Sequence, residues 1–249
     1  MSTPNTNRTT RIEGAVALVT GANRGLGRHF ARQLLERGAA RVYAAARRPE
    51  SVDPGGLPGL VPLRLDITDG DGVRAAAGTA ADVTLLVNNA GVTHFTGLLT
   101  ADPAALRAEM ETNFWGALAV VRAFAPVLAA NGGGTILNVL SAQSWHASPG
   151  NNGYHASKAA QWALTNGLRM ELADRDTLVT GLHLGAVDTD FSAGYDGPKG
   201  DPAATVRAAL DGIEAGAAEV IADAWSAHVK KSLAKDPVRL HDEIRAGVI

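Results

Sequence analysis

Short runs of apolar residues alternate with longer amphipathic ones along most of the chain. Ala15-Val16-Ala17-Leu18-Val19-Thr20 is a continuous apolar run of strand length. A strand apolar on both faces belongs in a parallel sheet covered by helices. Next comes a glycine turn, Gly21-Ala22-Asn23-Arg24-Gly25-Leu26-Gly27, and a helical pattern from His29 to Arg37, ended by Gly38. Arg41 to Ala46 reads as a second strand. Strand, turn, helix and strand make a βαβ unit. Further strands are predicted at Leu60 to Leu65, Val83 to Val87, Thr135 to Leu140, Leu178 to Leu184 and Glu219 to Ala222. Helical patterns cover Pro103 to Ala130, Tyr154 to Asp174 and Pro202 to Ala215. Asn113, a poor helix former, predicts a break in the first of these.

The pattern predicts one α/β domain over 14–249, behind a loose polar tail at 1–13. The stretch 189–204, rich in Gly, Asp and Ser, is expected to form a flap, and the segment from Asp223 onward to be helical and charged.

Composition narrows the function. The 249 residues carry a net charge of −2, which implies no strong pull on nucleic acid or membrane. The absence of cysteine excludes disulfides, thiolate metal sites and cysteine nucleophiles, and fits a reducing compartment, the cytoplasm being the expected location. The first ten residues lack an apolar stretch, so neither a signal peptide nor a membrane span is expected there. The Asn7-Arg8-Thr9 sequon is read as chance. No paired His/carboxylate spacing points to a metal.

Two stretches carry chemistry. Glycines let backbone N–H groups approach a pyrophosphate, and the helix that follows favours negative charge at its N-terminus. Arginines suit a ribose 2′-phosphate, so Arg24 in the turn and Arg47 at the end of the second strand point to NADP(H), while Arg48 is assigned to solvent. Asp66 ends the third strand, where it could bond an adenine amino group or cap the next helix. Asn88-Asn89-Ala90-Gly91 would let a flat cofactor pass close. The second stretch is Tyr154-His155-Ala156-Ser157-Lys158. Tyr154 and Lys158 share a helix face, and a cation beside a phenol favours phenolate and lowers its pKa. Ser141, ending an apolar strand, can hydrogen-bond a substrate oxygen held against that phenol. Asn113 could serve a local bend or hold a water. His94, Phe95, Gln143, Trp145, His146, Phe191 and Tyr195 are the candidate substrate pocket, suited to a mid-sized apolar or aromatic ketone. His146 and His155 are placed beside the site rather than in the acid–base role.

Taken in order, Thr20-Gly21-x-x-x-Gly25-x-Gly27, Asp66, Asn88-Asn89-Ala90-Gly91, Asn113, Ser141, Tyr154-x-x-x-Lys158 and Val187-x-Thr189 resemble the short-chain dehydrogenase/reductase family. The resemblance covers roughly residues 14–222. It implies a doubly wound, Rossmann-type, mostly parallel sheet of seven strands with helices on both faces. It implies a tetrad: Tyr154 as acid/base, Lys158 lowering its pKa and holding the nicotinamide ribose, Ser141 positioning the substrate oxygen, and Asn113 holding a relay water. It places NADP(H) against Gly21, Asn23, Arg24, Gly25, Leu26, Gly27, Arg47, Asp66, Ile67, Asn89, Ala90, Gly91, Val187 and Thr189. The expected partners are a small carbonyl or alcohol substrate and a second or fourth copy of the chain, packed through apolar residues such as Phe114, Trp115 and Trp162. Reduction of an imine or enoyl bond, and a non-catalytic NADP(H)-responsive regulator, are the alternatives. Leu184-Gly185 stands where most members have Pro-Gly, which implies a less rigid turn before Val187.

Overall fold

The structure is a computed structural model and describes residues 10–247. Seven strands form the sheet: β1 (Val16–Thr20), β2 (Arg41–Ala46), β3 (Leu60–Arg64), β4 (Leu85–Asn88), β5 (Gly134–Val139), β6 (Thr177–His183) and β7 (Glu219–Ile221). Their spatial order is β3-β2-β1-β4-β5-β6-β7, and every neighbouring pair is parallel. The order reverses between β1 and β4. In open α/β sheets the crevice at such a reversal, outside the strand C-termini, is where ligands bind.

The helices are α1 (Gly25–Glu36), α2 (Gly70–Thr79), α3 (Pro103–Met110), α4 (Ala117–Ala130), α5 (Asn152–Glu171), α6 (Pro202–Glu214), α7 (Ala224–Ser232) and α8 (Pro237–Arg245). Phe30 and Leu34 of α1 pack with Val206, Leu210 and Ile213 of α6 on one face of the sheet. Val73 of α2, Val120, Phe124 and Leu128 of α4, and Leu168 of α5 cover the other. Alternate residues of β1 feed the two cores: Ala17 and Val19 enter the first, Leu18 the second. This is why the strands read as apolar throughout.

Several expectations need correction. The tail ends earlier than residue 13: Ile12 is fully buried, and the Thr10 hydroxyl bonds that of Thr135. The remainder of that tail, with the sequon, lies outside the described residues. The helix after the glycine turn begins at Gly25, not His29, so Gly25 and Gly27 belong to its first turn. No break occurs at Asn113. A π-helical segment, Glu111–Gly116, joins α3 to α4, so the helix absorbs one wide turn and runs on. Pro103–Ala130 is long and apolar enough, by length and composition, to cross a membrane. Here Val120, Val121, Phe124 and Leu128 of that stretch lie in the core over the sheet. Asp69, not Asp66, caps α2, its side chain accepting from the Asp71 N–H. The charged C-terminal stretch is two helices, capped by Asp223 and Asp236.

Candidate active site

The first wall is the glycine turn. Gly21 and Gly25 take φ of +66° and +51°, the left-handed region that favours glycine. A Cβ on Gly27 would sit 2.1 Å from the Gly21 carbonyl oxygen, so only glycine fits there. Arg24 occupies the N-cap position of α1 and offers no side-chain cap, which leaves the first-turn N–H groups facing the turn. Thr20 fastens β4 alongside: its hydroxyl accepts from Asn89 N and Ala90 N, each at 3.0 Å. Asn89 Nδ2 donates to the Thr20 carbonyl at 2.9 Å. The turn after β6 closes over the top. A Cβ on Gly25 would lie 3.4 Å from Thr189, and Arg24 pairs with Asp190 at 3.3 Å. That pair is exposed and weak. Asn23 and Leu26 are partly buried, Leu26 against the core.

A cradle of this kind fits a dinucleotide. The three glycines leave the turn's backbone open to close approach, and the helix N-terminus behind it bears partial positive charge. At the end of β2, Arg47 and Arg48 are both exposed. Burial pushes the Asp66 carboxyl up, but bonds from Thr68 and the Arg47 charge outweigh it, so it ends below its ordinary value. Arg47 and Asp66 thus share the far end of the crevice. Ile67 packs beneath Gly116, whose Cβ would lie 2.8 Å from it.

The second wall carries Tyr154, Lys158, Ser141 and Asn113. Tyr154 and Lys158 are both buried on the first turns of α5. Lys158 Nζ lies 5.7 Å from the Tyr154 ring centre. It donates to the Val139 carbonyl and to Gln161 Oε1, each at 2.8 Å. Ser141 Oγ donates to the Leu184 carbonyl at a long 3.3 Å and accepts from Gln143 N at 3.1 Å. A Cβ on Gly91 would lie 3.1 Å from Asn113 Oδ1 and 3.8 Å from Lys158 Nζ. The Asn89–Gly91 strand end therefore touches the tyrosine wall. The Phe191 ring, 5.8 Å from that of Tyr154, lies above it.

Electrostatics depart from the sequence expectation. Burial raises the Tyr154 pKa well above that of a free phenol; the Ser141 hydroxyl pulls it down and the Glu109 charge adds to the rise. Burial lowers Lys158 to about 7. Burial thus works against phenolate, and the Lys158 charge is not among the causes that lower the Tyr154 value. The Asn113 side chain is engaged within the chain itself. Its Oδ1 accepts from Val92 N at 2.9 Å, and its Nδ2 donates to Val92 O at 2.9 Å and Ser157 Oγ at 2.8 Å. Ser157 Oγ in turn donates to the Tyr154 carbonyl at 2.8 Å, so the amide braces α5.

The pocket residues divide. Phe191 faces Tyr154; Phe95 and Tyr195 are exposed nearby, the Phe95 ring packing on Gly194. His94 is tied by its N–H to Glu109 Oε1 at 2.7 Å. Gln143 is half-buried beside Ser141. Trp145 and His146 turn toward the C-terminal segment instead. Trp145 stacks on His183 at 3.7 Å beneath Lys230, and His146 packs edge-on to Trp225 at 5.3 Å. These ring contacts hold both side chains there. Two clefts of about 360 and 320 Å³ lie away from the tyrosine wall, one beside Ile67 and Trp115 at the Asp66 end, the other at the N-terminal edge of the sheet by Gly133 and Asp176.

A family model described as short chain dehydrogenase matches residues 15–198. The chain belongs to the short-chain dehydrogenase/reductase family. Galactitol 2-dehydrogenase (L-tagatose-forming) of Cereibacter sphaeroides is 34% identical over 73% of this chain and 75% of its own. D-erythrulose reductase of Gallus gallus is 36% identical over 72% and 74% respectively. A crystal structure of a short chain dehydrogenase from Burkholderia cenocepacia, in complex with NADP, superposes with a TM-score of 0.89 at 44% identity, covering 94% of this chain and 98% of that one.

Sequence reasoning missed the supports behind the tyrosine wall of this family member. Asn88 Nδ2 donates to Asn138 Oδ1 at 3.1 Å, and Asn138 Nδ2 donates to Thr165 Oγ1 at 3.0 Å. Thr165 donates to the Gln161 carbonyl at 2.7 Å, and Gln161 holds Lys158. An amide inside the apolar run Thr135 to Leu140 was the available signal, since buried polar groups need partners. Glu109, fully buried, had no such signal in an alternating helical pattern.

Proposed function

We propose that this dehydrogenase/reductase moves hydride between NADP(H) and a ketone or secondary alcohol, with Tyr154 as the acid in reduction. When bound, NADPH supplies the hydride for the carbonyl carbon. The chain's own residues manage the oxygen. Tyr154 gives its phenolic proton to that oxygen as negative charge develops there. The Ser141 hydroxyl, held to the Leu184 carbonyl only by a 3.3 Å bond, is free to turn and donate to the same oxygen. Lys158, with Tyr154, is assigned to the nicotinamide ribose; the glycine turn, Asn89–Gly91, Val187 and Thr189 to the rest of the cofactor. Arg24 and Arg47 are assigned to the 2′-phosphate, in keeping with the NADP bound in the Burkholderia structure. Phe191, Phe95, Tyr195, Gln143 and His94 are the substrate contacts.

The observation that carries this is the buried phenol of Tyr154, with Ser141 beside it and Lys158 on the same wall. Two relatives whose names are those of sugar or ketose oxidoreductases support a carbonyl substrate. The exposed Trp115 and Met170, on the π segment and α5, support assembly of two or four copies. A reducing compartment, the cytoplasm, is the assigned setting for a cysteine-free chain. The test is Tyr154→Phe assayed with a panel of ketones by NADPH absorbance. NADPH binding should stay near parental while turnover falls by about a thousandfold, within the range of lost general acid catalysis. Parental turnover in the variant would remove Tyr154 as the acid.

A further inference from the structure

The turn after β6 holds Thr189 against the glycine turn, and it opens on Leu184-Gly185 with no proline. Leu184 is buried, and its carbonyl accepts from Ala142 N at 2.9 Å and from Ser141 Oγ. The next amide, Gly185 N, is taken by a side chain from beyond the family match: it donates to Asp223 Oδ2 at 2.8 Å. Asp223 is also the N-cap of α7, its Oδ1 accepting from Ser226 N at 2.7 Å and its Oδ2 from Ser226 Oγ at 2.9 Å. Trp225 walls the same glycine; a Cβ on Gly185 would lie 3.2 Å from its ring. Further along, Ala186 O accepts from Gly200 N at 2.8 Å, and Asp188 N donates to Gly200 O at 2.9 Å. The turn is therefore pinned at both ends, and Thr189, just past the second pin, rests on Gly25.

We propose that Asp223, backed by Trp225, is a positioning residue that clamps and stiffens the turn after β6, the turn that the cofactor reading sets beside the nicotinamide. The physical ground is that one carboxylate holds a loop amide and a helix cap at once. Bonds to a charged acceptor are about twice as strong as neutral ones. The proposal rests on the cofactor reading above for its binding readout only.

Asp223→Ser separates the two duties. Serine caps a helix about as well as aspartate, so α7 stays capped. Its single short oxygen cannot also reach Gly185 N. The thermal midpoint should therefore stay near parental. Hydrogen exchange at the Gly185 amide, measured without cofactor, should speed roughly tenfold or more, the scale of one charge-assisted bond. The NADPH dissociation constant, read by fluorescence titration, should weaken about tenfold for the same reason. Adding Leu184→Pro should return NADPH affinity toward parental. Leu184 N donates no bond among the described backbone pairs and its φ is not positive, so proline costs no backbone bond there, only part of the Leu184 side chain's core packing. Parental NADPH affinity in Asp223→Ser would overturn the proposal, as would a loss that Leu184→Pro leaves uncorrected. A parent protein that binds no NADPH would overturn the cofactor reading instead, and unchanged Gly185 exchange in Asp223→Ser would still refute the clamp separately.

Discussion

Lys158 is a cation site that the fold has made expensive to charge, and this gives a prediction about stability. Burial lowers its pKa from the ordinary 10.5 to about 7. Between those two values the unfolded chain holds a proton that the folded chain does not. Stability therefore rises with pH across that window, by about 1.4 kcal/mol per unit, and is flat below the folded value and above the unfolded one. The full shift of 10.5 to about 7 corresponds to about 5 kcal/mol at most. Lys158→Met removes this dependence. It also strands the Val139 carbonyl and Gln161 Oε1, at a cost of about 1–3 kcal/mol each, so absolute stability is a poor readout and the slope is a good one. Urea unfolding of parent and variant at a series of pH values gives the slope. The parent should gain about 3 kcal/mol more than the variant between about pH 7.5 and 9.5. Because Nζ lies 5.7 Å from the Tyr154 ring, the same titration should perturb tyrosine absorbance only in the parent. Parallel stability curves would refute the burial argument and restore a permanently charged lysine beside the phenol.

Other perturbations test separate parts of the site. Arg47→Asp should shift preference from NADPH toward NADH by roughly tenfold or more in the ratio of kcat/KM, the size of a lost guanidinium–phosphate bond; an unchanged ratio removes Arg47 from the phosphate. Gly27→Ala, whose Cβ would meet the Gly21 carbonyl at 2.1 Å, should abolish measurable NADPH binding and lower the unfolding midpoint. Asn138→Leu cuts the amide ladder behind Lys158 and should cost about 2–3 kcal/mol in urea unfolding, since Asn88 and Thr165 lose buried partners.

Much of the fold was legible because strand and helix periods are local properties. A run such as Val16–Thr20, buried on both faces, has little choice but to be a central parallel strand. Glycine at 21, 25 and 27 announced itself through conformations and approaches that only glycine permits. Asn113 shows the limit. Its poor helix propensity was real, but packing over the sheet kept the chain helical and converted the defect into a π turn. Trp145 and His146 show another. Their place in a strand-end loop suggested the pocket, while contacts with His183 and Trp225, 38 and 79 residues further on, drew them the other way.

Residue identity and spacing were enough to establish the alternation of strand and helix, the glycine cradle, and the pairing of Tyr154 with Lys158 on one helical face. These follow from backbone geometry, which repeats over a few residues. The protonation of Tyr154 and Lys158, the bracing duty of Asn113, and the hold of Asp223 on Gly185 came only with the folded chain. Each depends on which distant groups exclude water or accept a hydrogen bond, and that is settled by packing across the sheet rather than by neighbours along the sequence.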